Sequence, residues 1–481
     1  MGKAKYLQIV DFIKERISNG EWTIGSLIPS QRELAKTFRV NRSTVITALD
    51  ELMAEGLIEA KAGSGTMVTN NTWTLMGNDF SPNWNENIAF GIHKASMATV
   101  QKINELESNS DFIQLSKGEL SPDIFPLESM KKVVKKVSGQ ITPFGYEEPK
   151  GNLKLRQAIS DYLQKRGIDA SPASILVVSG ALQGLQLISL GLLQRRTTVF
   201  LEKPSYLNSL SIFQSAGMEL KGVQLDEEGL DFNRISLSNE KGRSVLYTNP
   251  TFHNPTGKLM TESRRMELIE FCRENQLPII EDDVYRDLWI DSSPPSPLKS
   301  MDRYGNVLYI GSLSKTLSPG LRIGWLLGPE SVISRLADLK MQSDYGSSTL
   351  SQYVAAEWLA SGLYEEHLEN VREQLKIRRQ TVLETLNKYL KNYADWETPK
   401  GGFFIWVKMK PEHKTARLFE KAYAQGILLN PSKIYENSAD QAIRISYANA
   451  PLEKLKEGII QLSIILKGES VKALGDSPPV Y

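Results

Sequence analysis

Lys315 lies in YIGSLSKTLSPGLRIGW, where an apolar run delivers it to a Ser/Gly turn and Arg322 follows seven positions later. A lysine held at a rigid strand end beside such donors is placed to carry an aldehyde cofactor as a Schiff base. Ser312, Ser314 and Arg322 would then supply hydroxyls and a guanidinium fork for a phosphate. Taken alone, the segment reads equally well as a solvated surface lysine. Other segments carry compatible chemistry. In SGALQGLQL, Ser179-Gly180 turns a strand into a helix whose first N–H groups, from Gly180, Ala181 and Leu182, are placed to hold a phosphate. In EKPSY, Tyr206 follows a strand and offers a face to a flat ring. NPTFHNPTG places the Asn254 amide where it can donate to a phenolate-like oxygen. EDDVY places Asp282 to pair with a ring nitrogen, and Tyr285, three residues on, to donate to the same oxygen as Asn254. Two Asp after a strand also suit a magnesium ion, although no Lys-Ser/Thr phosphate loop accompanies them.

These segments need a scaffold of strands ending at one edge, and the chain offers it. Between about residues 84 and 465, helical patterns alternate with short β-rich runs: ILVV at 175, TTVFL at 197, SVLYT at 244, LPIIE at 277, NVLYIG at 306 and RIGWLLG at 322. This alternation predicts an α/β unit with a mostly parallel sheet covered on both faces. Ile88 to Ser108 reads as an arm and a helix, and Gly118 to Pro126 as a turn-rich loop.

The first seventy residues read differently. Tyr6, Ile9, Val10, Ile13 and Ile17 form one apolar helical face, closed by Asn19-Gly20. Ser30 opens S-Q-R-E, a capping box with Glu33, and Leu34, Ala35 and Phe38 follow on one face. Asn41 is expected to cap a third helix with Val45, Ala48, Leu49, Leu52 and Met53 on its apolar side, and Val40 and Val45 are spaced as a hydrophobic staple. LIEAKAGSGTMVT then reads as a hairpin or wing. Residues 1–70 hold nine Lys/Arg against eight Asp/Glu, so placement matters more than the sum. Arg32, Lys36, Arg39 and Arg42 are expected at the N-terminal ends of the second and third helices, where phosphates would meet them. The third helix would enter a major groove with Arg42, Ser43, Thr44 and Thr47 leading, while Lys61 on the wing reaches backbone. The competing reading is a helical interaction module with a solvated basic edge.

Composition excludes several classes. The 481 residues, 41% apolar and 23% charged, suffice for two or three domains with full cores. A single cysteine rules out an internal disulfide, and the four histidines show no metal-ligand spacing, so no metal is expected. The opening MGKAKYLQIVDFIKE lacks an apolar signal core and no apolar run approaches 18 residues, so a cytoplasmic protein with no membrane partner is expected.

The string from GEWTIGSLIPSQRELA through RSTV and GLI to GSGT resembles the GntR-type winged helix-turn-helix, over about residues 3 to 69. The motifs from 84 to 465 resemble a fold-type I pyridoxal-phosphate enzyme of the aminotransferase group. The implied organisation is a DNA-binding head over 1–69, a linker over 70–83 and an aminotransferase-like body over 84–481, with a smaller C-terminal α/β subdomain. By this resemblance Lys315 forms the internal aldimine, Asp282 keeps the pyridine nitrogen protonated, Asn254 and Tyr285 tune the ring hydroxyl, and Tyr206 stacks on the ring. The phosphate would lie between Gly180, Ala181, Leu182, Ser312, Ser314 and Arg322. Tyr146 matches a tyrosine that reaches the partner subunit's cofactor, which implies a homodimer. Arg444 matches the arginine that clamps a substrate α-carboxylate, with Gly118 assigned beside it. Head and body together resemble the MocR (GabR-like) transcriptional regulators, implying a double-stranded DNA operator and an amino acid or amine effector sensed by exchange at Lys315. His253-Asn254-Pro255 departs from the His-Gln pattern frequent in those regulators and looks more like a catalytic aminotransferase, and the joint is shorter than the resemblance implies. The alternatives are an aminotransferase of the aminoadipate or aromatic type with an accessory DNA-binding head, and a DNA-binding protein whose body no longer holds cofactor.

Overall fold

The computed structural model describes residues 4–61, 65–70, 96–140, 145–237, 243–436 and 440–475. The chain divides into two compact units, Met1–Ile92 and His93–Tyr481. The expected linker over 70–83, apart from residue 70, and the first part of the arm expected from Ile88 fall within 71–95, outside the described residues, while the helix expected before Ser108 is present as Ala98–Leu106.

In the first unit, helices Lys5–Ser18, Gln31–Phe38 and Arg42–Ala54 precede an antiparallel hairpin of Ile58–Lys61 and Gly65–Val68. The periodic apolar positions explain the packing: Ile9, Val10, Ile13, Ile17, Leu34, Val45, Ala48, Leu49 and Leu52 share one core with Leu57, Ile58 and Val68. The capping box closes the second helix, since the Glu33 N–H donates to Ser30 Oγ at 3.3 Å and the Ser30 N–H to Glu33 Oε2 at 2.7 Å. Removing the cap with Ser30→Ala should cost this helix about 1 kcal/mol. Backbone hydrogen exchange across Gln31–Phe38 should then quicken about fivefold, and unchanged exchange would refute the capping role.

Two expectations for the head need correction. Asn41 occupies the cap position of the third helix with extended backbone, yet its side chain makes no capping bond. Lys36 lies in the last turn of the second helix and Arg39 is its left-handed C-cap at φ 50°, so only Arg32 and Arg42 sit in first turns. Lys36 and Arg39 instead complement the negative end of the helix dipole.

The second unit is built on an eight-stranded sheet. Its order is Ile175–Val178, Gly324–Leu327, Val307–Ser312, Ile279–Asp282, Ser244–Thr248, Thr198–Lys203, Glu219–Asp226 and Gly229–Leu230. The run from Val307–Ser312 to Glu219–Asp226 is parallel, whereas Gly324–Leu327 runs against both neighbours. Each sheet face is covered: Ile175 and Val177 join one core and Leu176 and Val178 the other, as a period of two requires. The strand Glu219–Asp226 has no counterpart in the sequence reading. It lies toward the edge with only Val223 buried, so its pattern carries almost no apolar signal.

The smaller subdomain pairs Ala394–Trp396, Phe404–Met409, Ala442–Ser446 and Asn430–Pro431 in an antiparallel sheet. Helices Leu363–Tyr389 and Leu452–Gly475 bury Val371, Leu375, Leu455 and Ile459 in the same core as Phe404, Ile405 and Ile443. No helix among the described residues is long and apolar enough to cross a membrane.

Candidate cofactor and effector site

The strand ends converge on a cavity of about 350 Å³. The parallel strands finish at one edge of the sheet, so the residues just after them meet although they are far apart in the chain. Lys315, Asp282, Asn254, Tyr285, Tyr206, Ser312, Ser314, Arg322, Gly180, Ala181, Leu182, Gly118 and Arg444 all line this cavity.

The Lys315 amine donates to the Gly118 carbonyl at 2.7 Å. Burial pulls its pKa below the ordinary lysine range, with Arg444 lowering it further and Glu119, Glu107 and Asp282 opposing. Burial that makes the neutral amine easier to reach suits the nucleophile that carbonyl chemistry needs. A Cβ at Gly118 would stand 3.1 Å from Phe404 Cζ and 3.8 Å from the Lys315 amine, so this position contributes through its backbone.

Asp282 accepts from the Tyr247 hydroxyl at 2.7 Å through Oδ2, while Oδ1 is buried without a partner. Burial raises this carboxyl to about 6. A buried carboxylate oxygen left open in a cavity wall fits a protonated ring nitrogen, whose charge would return the acid toward its ionised form. Asp283 faces elsewhere, pairing with Arg286 at 3.4 Å and accepting from Tyr309 at 3.3 Å. The two carboxyl groups are engaged with different partners and do not converge on one ion. Among the described residues, no group of three or more His, Cys, Asp or Glu is arranged to hold a metal.

The phosphate-type donors form one group. Arg322 donates to the Ser179 carbonyl at 2.8 Å, the Ser312 hydroxyl donates to the Ile323 carbonyl at 3.0 Å, and Ser314 Oγ lies 3.1 Å from Ser312 Oγ, which can accept from it. Gly180 has φ 87°, and a Cβ there would lie 2.6 Å from Arg322 Nη2, so only glycine lets the guanidinium approach the helix start. One expected donor is lost: the Gly180 N–H is spent on the Val178 carbonyl at 2.8 Å, leaving those of Ala181 and Leu182.

Asn254 lies on the other flank. Its amide donates to the Tyr285 hydroxyl at 3.4 Å and accepts from Arg444 at 2.8 Å. Burial pushes the Tyr285 hydroxyl well above its ordinary value and that of Tyr206 up to about 12, so both are held as neutral donors. Arg444 is buried with its guanidinium 3.9 Å from the Phe404 ring centroid, and it also donates to the Ser116 carbonyl at 2.5 Å. Its hydrogen-bond partners are neutral oxygens, so its charge is solvated by dipoles and open to an anionic ligand. Asn430, with its side-chain oxygen turned inward, accepts from Arg444 at 2.6 Å and from Tyr435 at 2.7 Å.

Tyr146 is not in the cavity. It is 80% exposed and leans on Tyr345 with ring centroids 4.8 Å apart. Sequence reasoning also missed Glu107, Asn249, Phe404, Asn430 and Tyr435 in the cavity wall, whose roles depend on packing between distant segments and leave no local motif.

On the head, Arg42, Ser43, Ile46, Thr47 and Asp50 are exposed along one side of the third helix. Thr44 is half-buried beside them, and Ile46 takes a place on that stripe which the sequence reading did not assign. Arg42 Nε donates to Gln31 at 2.9 Å, and the Thr47 hydroxyl bonds back to the Ser43 carbonyl at 3.1 Å. Arg32, Lys36 and Arg39 are exposed, and Lys61 ends the first wing strand.

Residues 110–462 match the aminotransferase class I and II family, and residues 5–68 match the bacterial regulatory proteins of the gntR family. The chain is 60% identical over 464 residues to the HTH-type transcriptional regulator YdfD of Bacillus subtilis (strain 168), covering 96% of each. It is 36% identical over 447 residues to the HTH-type transcriptional regulator NorG of Staphylococcus aureus (strain USA300), covering 92% of this chain and 99% of NorG. Among solved structures, the multiple substrate aminotransferase from Thermococcus profundus superposes with a TM-score of 0.75 at 29% identity, over 81% of this chain and all of that one. LysN, the alpha-aminoadipate aminotransferase from Thermus thermophilus, gives 0.73 at 27% identity, over 81% and 100%.

Proposed function

Since the chain belongs to the aminotransferase class I and II family and carries a gntR-family head, the architecture of the MocR (GabR-like) transcriptional regulators, we propose that it senses an amino acid or related amine at Lys315 with pyridoxal 5'-phosphate as cofactor. The supporting observation is the buried, unpartnered Oδ1 of Asp282 in a cavity that also holds a lysine of lowered pKa. When bound, the cofactor supplies an aldehyde that amines compete for and a ring that accepts electrons. Asp282 would hold the ring nitrogen, Asn254 and Tyr285 the ring oxygen, and Tyr206 the ring face. Ser312, Ser314, Arg322 and the N–H groups of Ala181 and Leu182 would hold the phosphate. Arg444 orients a ligand carboxylate. A ligand that binds one body conformation better than another shifts the population the heads report to DNA. Absorbance of the purified protein tests the reading: a yellow protein that borohydride bleaches supports it, and a protein that is colourless after incubation with pyridoxal phosphate and removal of the excess refutes it.

On the DNA side, Arg42 and the exposed stripe behind it read bases, while Arg32, Lys36, Arg39 and Lys61 hold phosphates of a double-stranded operator in the cytoplasm. Arg42→Ala should weaken operator binding by about 1–3 kcal/mol and relax base preference. Arg32→Ala should weaken binding to all sequences and lower the salt slope by about one. Binding curves at several salt concentrations on operator and scrambled DNA separate the two, and equal loss of specificity in both variants would mean a different docking orientation.

The exposed Tyr146 is assigned to the cofactor of a second subunit in a homodimer. A second reading, a working aminotransferase with a DNA-binding head, is favoured by the His253-Asn254-Pro255 turn, and steady conversion of a keto acid by a second amino acid would establish it.

A further inference from the structure

Beneath the candidate ring site lies a buried carboxyl that the reading above does not use. Glu202, in the strand Thr198–Lys203, is 1% exposed. Its Oε1 accepts from the Thr248 hydroxyl at 2.5 Å and from the Asn249 N–H at 2.9 Å. Asn249, also buried, spends both ends of its amide on the site: Nδ2 donates to the Asp282 carbonyl at 2.5 Å and Oδ1 accepts from the Asn254 N–H at 2.8 Å. The Glu202 strand and the Asp282 strand end, remote in sequence, are thus tied to the Asn249–Asn254 turn at Asn249, the first through its backbone N–H and the second through its side-chain amide, next to the two residues assigned to the ring nitrogen and the ring oxygen.

We propose that Glu202 is a positioning residue for the cofactor ring: it fixes Asn249, and Asn249 fixes both the Asp282 strand end and the Asn254 turn. The inference rests on the cofactor reading given under Proposed function. Buried hydrogen bonds of this kind are strengthened by the dry surroundings and costly to leave half made, so loss of one link is felt along the chain. The contribution of Glu202 is the acceptor geometry of Oε1. Burial raises its carboxyl to about 7, with ionised Asp282 adding to the rise and the Thr248 and Asn249 donors opposing it. The hydroxyl of Tyr247, the other titratable group facing it, is pushed far up and stays neutral. Full charge on Glu202 is therefore not needed near neutral pH, and a glutamine oxygen can accept the same two bonds.

The test is titration of the full-length apoprotein with pyridoxal 5'-phosphate, followed by visible absorbance, for wild type, Glu202→Gln, Glu202→Ala, Asn249→Ala and the double alanine variant. Glu202→Gln should keep the wild-type affinity within about threefold, while each single alanine variant should weaken it at least about tenfold. The double variant should be no weaker than either single one, since both break the same chain. The pH midpoint of the visible band should rise in Asn249→Ala, because a loosened Asn254 donates less well to the ring oxygen, and should stay in place in Glu202→Gln. Thermal unfolding of each apoprotein separates this from lost folding. Should Glu202→Ala not fold, Asn249→Ala and Glu202→Gln decide alone. Additive losses, an Asn249→Ala variant that binds and titrates like wild type, or a Glu202→Gln variant as weak as the alanine variants would each overturn the proposal. A wild-type protein that binds no cofactor would instead overturn the reading on which it rests.

Discussion

Lys315→Ala is expected to abolish the aldimine absorbance, and with it covalent attachment of the cofactor on borohydride reduction, and the whole effector response while leaving a folded body. Lys315 is the one lysine among the described residues lining the cavity, so no second amine stands ready to replace it. Its head group makes a single described hydrogen bond, to the Gly118 carbonyl, and faces space that is already open. The cost to stability should stay within about 1 kcal/mol, since the usual routes to a large loss are absent. DNA binding measured with and without candidate amines, beside a thermal unfolding curve, checks this. A variant that folds, shows no aldimine absorbance and still changes its DNA affinity on adding amine would exclude sensing at Lys315.

Arg444→Ala should remove the preference for ligands bearing a carboxylate. The guanidinium is buried, lies over Phe404 and is met by the neutral oxygens of Asn254 and Ser116. An amine lacking the anionic partner leaves that buried charge unmatched. For an amino acid against its decarboxylated amine, the wild type should favour the former by about 1.5–3 kcal/mol, the usual worth of a hydrogen bond to a charged group. Spectral titration of both ligands in both proteins completes a double cycle. An undiminished preference in the variant would place the carboxylate on another residue. Asn254 loses its Arg444 contact in the same variant, so a moderate loss common to both ligands is expected on top of the differential one.

Local chemistry made several features legible in advance. Ser30 and Glu33 are three residues apart, and the capping box they form needs nothing beyond that spacing. The strands at 175, 198, 244, 279 and 307 are short, apolar and β-branched because both faces of the sheet are buried. The strand Glu219–Asp226, next to the edge strand Gly229–Leu230, is illegible in the sequence for the converse reason: being largely solvated, it has almost no apolar pattern to display. Helix ends were the weak point. Arg39 and Lys36 were expected at a helix start, and the left-handed turn at Arg39 that closes the second helix has no glycine to announce it.

The sequence by itself determined which residue types stand just past the strand ends, and hence the chemistry on offer: a lysine amine, a carboxyl, an amide, phenols and guanidinium groups. The tertiary structure alone decided which of their atoms are free to act. Lys315 meets Gly118 across 197 positions, and Arg444 meets Asn254 and Ser116 across 190 and 328. Only the folded sheet shows that the Gly180 N–H is spent, that one oxygen of Asp282 is left open, and that Glu202 and Asn249 bind the two ring contacts into one network. The physical reason is one of range: caps and strand propensity act between near neighbours in the chain. Desolvation and hydrogen-bond satisfaction depend on every segment that packs around a group, and so exist only once the sheet has closed over it.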